Sequence, residues 1–120
     1  MDINGTAREF FDRYTRALLD RDQEALADLY AVPSLIAFPA QSLAVAERSQ
    51  ISDFFASAFG QYEGIENTSA EIDVIASAPH SIWADVTWRH DNDMTERFVY
   101  QLLDTGDRWQ IGVLTPLPTD

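Results

Sequence analysis

The hydrophobic pattern of this chain changes period once, and that change restricts its fold more than any other feature. In "TAREFFDRYTRALLDRD", residues 6 to 22, Ala7, Phe10, Phe11, Tyr14, Ala17 and Leu18 fall on one side of a helix, and Thr6 with Glu9 has the form of a capping box. A second, shorter helix is predicted from Asp22 as N-cap. It buries Leu26, Leu29 and Tyr30 and ends before Pro33, because a residue preceding proline leaves the α region. A third, over 47–59, aligns Ile51, Phe54, Phe55, Ala58 and Phe59, with Gly60 and Gly64 available to stop it. From Thr68 onward the period is two: "AEIDVIASA", "SIWADVTWRH", "TERFVYQLL" and "RWQIGVLTP" read as strands joined by the turn signals "PH", "DNDM" and "TGD". Helices followed by an antiparallel meander argue an α+β domain with the helices gathered on one face of the sheet.

The turns set the register expected of the meander. With Asp91 to Met94 as one loop and Asp104 to Asp107 as the next, Trp88 falls opposite Arg97, Arg89 opposite Glu96, and Gln101 opposite Gln110. One face then carries Trp83, Phe98, Tyr100, Trp109 and Ile111. The other carries Trp88, His90, Arg97, Val99, Gln101 and Gln110. Three helices cover only one side of such a sheet, and both sides are too apolar to face water. The aromatic face is therefore expected to pair with a second copy of the chain, and the other face to wall a ligand pocket under the helices.

Totals exclude several classes. At 120 residues the chain, 1–120, is one domain. A net charge of -12 with no basic stripe argues against nucleic acid. There is no cysteine for a disulfide or thiolate, and "MDINGTAREFF" lacks the basic and apolar run of a signal peptide, so a cytoplasmic location is expected. The uncharged run "AVPSLIAFPAQSLAVA", residues 31 to 46, is too short and too interrupted by Pro33 and Pro39 to span a bilayer. It reads as a buried strand pair or a pocket wall. "HDND" at 90–93 has metal-ligand residue types but reads as a tight turn, and no metal is expected.

The order helix, helix, short strands, helix, long meander, with "YTRALLDRDQEALADLY" leading into "FP" and a terminal "GDRWQI", resembles the nuclear-transport-factor-2-like superfamily. The likeness covers nearly the whole chain. It implies a cystatin-like cone: a curved antiparallel (mixed) sheet with the three helices of the N-terminal half packed on its concave face, often dimeric. The superfamily includes ketosteroid isomerases, SnoaL-like polyketide cyclases, scytalone dehydratase, limonene epoxide hydrolase and non-catalytic domains. In the isomerases, a helix-1 tyrosine donates to the substrate oxygen, a carboxylate before a proline moves the proton, and a protonated aspartate sits on the meander. The resemblance maps these onto Tyr14, Phe38 (before Pro39) and Val99, so both carboxylates are missing there. The R-x-D pair of the epoxide hydrolases maps onto Arg97, Phe98 and Val99, again without the acid.

The candidate site follows. Tyr14 is a hydrogen-bond donor or a core tyrosine, and His90 is a general base or a histidine flanking a turn. Phe38, Phe55, Trp88, Arg97, Val99, Gln101 and Gln110 are candidate ligand contacts, with Leu35 and Ile36 beside Phe38 on the same wall. The expected function is a small-molecule-binding homodimeric domain with a hydrophobic pocket. The alternative is a lyase, isomerase or cyclase acting on a hydrophobic carbonyl compound, with His90 as base and Tyr14 as donor. No cofactor and no membrane partner is expected.

Overall fold

A computed structural model describes residues 2–39 and 42–119; Ala40 and Gln41, in the middle of the uncharged run, lie outside the described residues. Helix α1 spans Ile3–Leu19 and starts a turn earlier than the Thr6 capping box implied, because the Asp2 side chain accepts from the Gly5 N–H and caps it there. Helix α2, Gln23–Asp28, is capped by Asp22 as expected, but Tyr30 belongs to the next strand. Strands β1 (Tyr30–Ala37) and β2 (Ser42–Val45) form an antiparallel pair out of the uncharged run. Helix α3, Arg48–Ala58, is held at its start by the Gln50 side chain, which accepts from the Glu47 N–H at 2.9 Å. It runs on as a 3-10 turn, Phe59–Tyr62, and the chain then bends at Gly64, whose φ of 85° is a conformation glycine adopts without strain.

The meander is β3 (Thr68–Ala78), β4 (Ser81–His90), β5 (Thr95–Asp104) and β6 (Trp109–Pro116). All six strands form one mixed sheet in the order β2-β1-β6-β5-β4-β3, antiparallel except for β1 beside β6. The parallel pair is set where Leu29 C=O accepts from Ile111 N–H and where Gln110 donates to the carbonyls of Asp28 and Tyr30. Irregularities near Ile75 in β3 and Gly112 in β6 bend the sheet around the helices. Between sheet and helices lie Phe10, Phe11, Ile36, Ile51, Ile82, Leu102 and Ile111, all fully buried.

The pairing of β4 with β5 departs from the expected register by one residue. Trp88 lies opposite Glu96, not Arg97, and Arg89 opposite Thr95, not Glu96. The cause is the turn. His90 C=O accepts from Asp93 N–H and His90 N–H donates to Met94 C=O, while Asp93 sits at φ 69°. This is a three-residue loop with a left-handed residue, where a four-residue loop had been expected. Aspartate tolerates that conformation without glycine, so no glycine marks it in the sequence.

A one-residue slip exchanges the faces of a whole strand. Phe98, Tyr100 and Leu102 turn in to meet Ile82, Val86, Trp88 and His90, and Arg97, Val99, Gln101 and Leu103 turn out beside Trp83 and Asp85. Ile111 and Trp109 also lie on the helix side, Ile111 buried and Trp109 packed against the core. Of the five residues assigned to a homodimer face, only Trp83 is on the outer surface. Gln101 pairs with Val113 and Gln110 with Leu103, so the two amides do not face each other. Leu35 is exposed, opposite Val113, and does not share a wall with Phe38.

Asp93→Gly should leave stability unchanged or slightly higher, and Asp93→Val should lower it by about 1–2 kcal/mol, since a β-branched residue is poorly accommodated at positive φ. Denaturant unfolding checks both, and equal stability of the two variants would contradict the turn assignment.

Candidate functional site

Between α1, α3 and the inner face of the sheet lies a cavity of about 590 Å³. Tyr14 and Leu18 reach it from α1, Tyr30 from β1, Phe54 and Phe55 from α3, and Trp88, Phe98, Tyr100 and Leu114 from the meander, with Phe38 and Leu43 closing the side next to β2. Its floor is a packed set of aromatic rings. Tyr14 lies 5.3 Å from Trp88 and 6.3 Å from Phe55, and Phe38 lies 6.3 Å from Phe54 and 6.4 Å from Phe98, within the range where offset and edge contacts stabilise.

The polar ends of these rings are paired among themselves. The hydroxyls of Tyr14 and Tyr30 are 2.9 Å apart, and Trp88 Nε1 donates to the Tyr100 hydroxyl at 2.9 Å. Burial pushes the pKa of Tyr14, Tyr30 and Tyr100 well above the ordinary tyrosine value, because an ionised phenolate would have no water around it. Tyr62 is raised too, first by burial and then by the neighbouring carboxylate of Glu96.

Glu96 is the residue that the sequence reading missed. Placed inward by the observed register, it is a carboxylate on the wall of the cavity. Its Oε1 accepts from the Tyr62 hydroxyl at 2.9 Å and lies 3.0 Å from His90 Nε2. Nδ1 of the same ring is 2.8 Å from the Thr68 hydroxyl. A ring carrying its hydrogen on Nε2 satisfies both contacts, donating to Glu96 and accepting from Thr68. Glu96 Oε2 has no hydrogen-bond partner among the described residues and is not a buried orphan, so it is the oxygen left accessible. The signal that could have found it was the parity of the "HDNDM" turn alone.

Tyr62 is in turn held by Arg21, which sits at φ 53° between α1 and α2. Its guanidinium donates to the carbonyls of Leu19 and Ile65 at 2.9 and 3.0 Å and also to those of Leu18 and Tyr62. One arginine thus ties the end of α1 to the segment that carries Tyr62.

Of the residues singled out in the sequence, Tyr14, Phe38, Phe55 and Trp88 come together around the cavity. His90 does not line it; the ring is fully buried behind Glu96, both nitrogens engaged. Arg97 is on the outer face, where Nε donates to Asp85 Oδ1 at 2.9 Å and Nη2 to Oδ2, and this hydrogen-bonded pair holds the Asp85 carboxyl below its usual range. Val99 and Gln101 share that face. Gln110 accepts from Thr105 and braces β1. Among the described residues no group of His, Asp and Glu has a metal-holding arrangement, and no helix is long and apolar enough to cross a membrane.

A curved six-stranded mixed sheet enclosing an aromatic cavity under three helices defines a cystatin-like α+β cone. A family model described as "NTF2-like protein (DUF6841)" matches residues 4–119, so the chain belongs to this family of NTF2-like proteins. No curated protein matches the sequence. Among solved structures, a domain of unknown function with a cystatin-like fold from Nostoc punctiforme is 18% identical with a TM-score of 0.76, covering 97% of this chain and 78% of that one. An NTF2-like protein from Cytophaga hutchinsonii is 10% identical, TM-score 0.74, covering 97% and 98%. A ketosteroid isomerase-like protein from Erwinia carotovora atroseptica is 12% identical, TM-score 0.68, covering 95% of each chain. At these identities the likeness is one of fold.

The chain has four tyrosines, and all four are held above their ordinary pKa, so tyrosinate absorbance should stay absent from the folded protein near pH 10. A raised tyrosine pKa stabilises the fold below the unfolded value, and that contribution is lost as pH rises past it. Stability should therefore fall above about pH 10, and tyrosinate absorbance and loss of circular dichroism should appear together. Reversible ionisation of a tyrosine near pH 10 in the folded state would contradict the buried network.

Proposed function

We propose that this domain binds a hydrophobic small molecule in the cavity between α1, α3 and the sheet. The observation that carries the reading is an aromatic-walled cavity of about 590 Å³ with the Glu96 carboxylate on its wall, held through Oε1 by Tyr62 and His90. Pockets of this size with a mostly apolar wall and a few converging polar groups are the usual form of a small-molecule site.

A second reading has its own support. The Thr68, His90, Glu96 chain has the form of an oriented base, in which a buried imidazole fixes a carboxylate that itself faces the cavity. Within the Tyr14 and Tyr30 pair, the hydroxyl that accepts keeps a hydrogen free for a ligand oxygen. On this reading the domain is a lyase, isomerase or cyclase acting on a carbonyl compound, Glu96 moves the proton, and His90 is a positioning residue. The carboxylate then lies on β5 at Glu96 and not at Phe38 or Val99, where the isomerase pattern would have it.

Screening a library of hydrophobic ligands by thermal shift, then repeating with Glu96→Gln and Tyr14→Phe, separates the two. A ligand that raises Tm in all three proteins and is recovered unchanged supports binding alone. A ligand chemically altered by the wild type and left intact by Glu96→Gln supports the enzyme. The absence of any ligand that shifts Tm would count against both.

The outer face of the sheet carries Trp83, Val99, Leu103 and Val113, all partly exposed, with the exposed Leu35 beside them. We propose that this face pairs with a second copy of the chain. Trp83→Glu should give a folded monomer by light scattering where the wild type is a dimer, whereas Tyr100→Glu, which places a charge in the core, should not fold. A wild-type monomer at micromolar concentration would sink the pairing.

A further inference from the structure

We propose that the ligand of the cavity is an organic cation: an apolar or aromatic molecule carrying an ammonium group, with its charge set against Glu96 and its body among the rings. This deepens the small-molecule reading and rests on it.

Charge is the first ground. The residues around the cavity include Glu96 on its wall and Asp53, exposed at the α3 side, and no arginine. All eight basic residues of the chain are arginines, and they lie elsewhere. Arg97 is bound to Asp85 on the outer face, Arg48 bridges Glu24 and Asp28, Arg89 lies near Glu71, and Arg21 is spent on carbonyls. Arg8, Arg13, Arg16 and Arg108 border separate surface hollows. An anionic ligand would meet two carboxylates here and no arginine to offset them.

The second ground is the state in which Glu96 is held. Tyr62 and His90 both engage Oε1, which fixes the carboxylate while leaving Oε2 open. No arginine pairs with this carboxylate, whose partners are the Tyr62 hydroxyl and the His90 ring. Such a group on an apolar wall gains most from a ligand that brings both a donor and a charge.

The third is the wall itself. Phe38, Phe54, Phe55, Trp88 and Phe98 surround the space with aromatic rings, whose faces attract cations, most strongly where water is excluded. A neutral hydrophobe would use the same rings for contact area alone. A cation uses the rings and the carboxylate together.

Three probes of nearly one shape test this: 2-naphthylmethylamine, 2-naphthylmethanol and 2-naphthoate, titrated calorimetrically at neutral pH and physiological salt. The amine should bind about tenfold more tightly than the alcohol, in the range of one partly desolvated cation–π or ion-pair contact, and the naphthoate most weakly. Glu96→Gln should erase most of the amine's advantage while leaving the alcohol's affinity in place. Asp73→Asn removes the same charge from the outer face and should leave the advantage intact, which separates local recognition from attraction to an acidic protein. Equal binding of amine and alcohol to the wild type, or an advantage that survives Glu96→Gln, would overturn the cation assignment while the small-molecule reading stood. The wild-type comparison decides the matter even where a variant does not fold. Failure of all three probes to bind would remove this proposal and count against the small-molecule reading itself.

Discussion

The pairing of β4 with β5 is the constraint on which the rest of the molecule depends. Residues of a strand alternate between faces, so a slip of one position in this hairpin would exchange every inward side chain of β5 for an outward one. In the observed register, Trp88 meets the Tyr100 hydroxyl, Phe98 closes the cavity and Glu96 comes within reach of His90 and Tyr62. In the neighbouring register, Arg97 and Gln101 would enter the aromatic core, where a guanidinium and an amide would need partners that the core does not provide. The left-handed Asp93 selects between these outcomes at a cost of about 1 kcal/mol. The apolar burial that follows, from Tyr100 and Leu102, is several times larger.

Polar chemistry in this core is arranged in short closed groups. Tyr14 pairs with Tyr30, Trp88 with Tyr100, and Thr68, His90, Glu96 and Tyr62 form a chain. Each group satisfies most of its own members, as buried polar atoms require. The Glu96 carboxylate keeps one oxygen, Oε2, outside these contacts. Its position within a satisfied wall makes it the natural point for ligand recognition, by charge or by proton transfer.

Much of the fold was legible because burial imposes periodicity. The stripe of Phe10, Phe11, Tyr14 and Leu18 gave α1, Asp22 gave the start of α2, and alternation gave all four meander strands within a few residues. Tyr14, Phe38, Phe55 and Trp88 were legible as site residues, since they are apolar residues on inward-facing positions of elements whose phase was correct. Phase was lost at one turn. "DNDM" carries no glycine, and nothing local separates a three-residue from a four-residue loop when an aspartate can adopt positive φ. That ambiguity moved Arg97, Val99 and Gln101 into the expected pocket, Phe98 and Tyr100 onto the expected interface, and Glu96 onto the outer face opposite Arg89. Arg21 was invisible for another reason: its acceptors at Tyr62 and Ile65 are distant in sequence and are backbone carbonyls, which no residue pattern marks.

Everything proposed for the cavity depends on Glu96 facing inward, opposite Trp88. Cross-strand nuclear Overhauser effects between backbone protons of β4 and β5 read that register directly. The expected contacts pair Trp88 with Glu96, Val86 with Phe98 and Ala84 with Tyr100. Contacts that pair Trp88 with Arg97 and Val86 with Val99 would contradict it, and with it the carboxylate on the cavity wall.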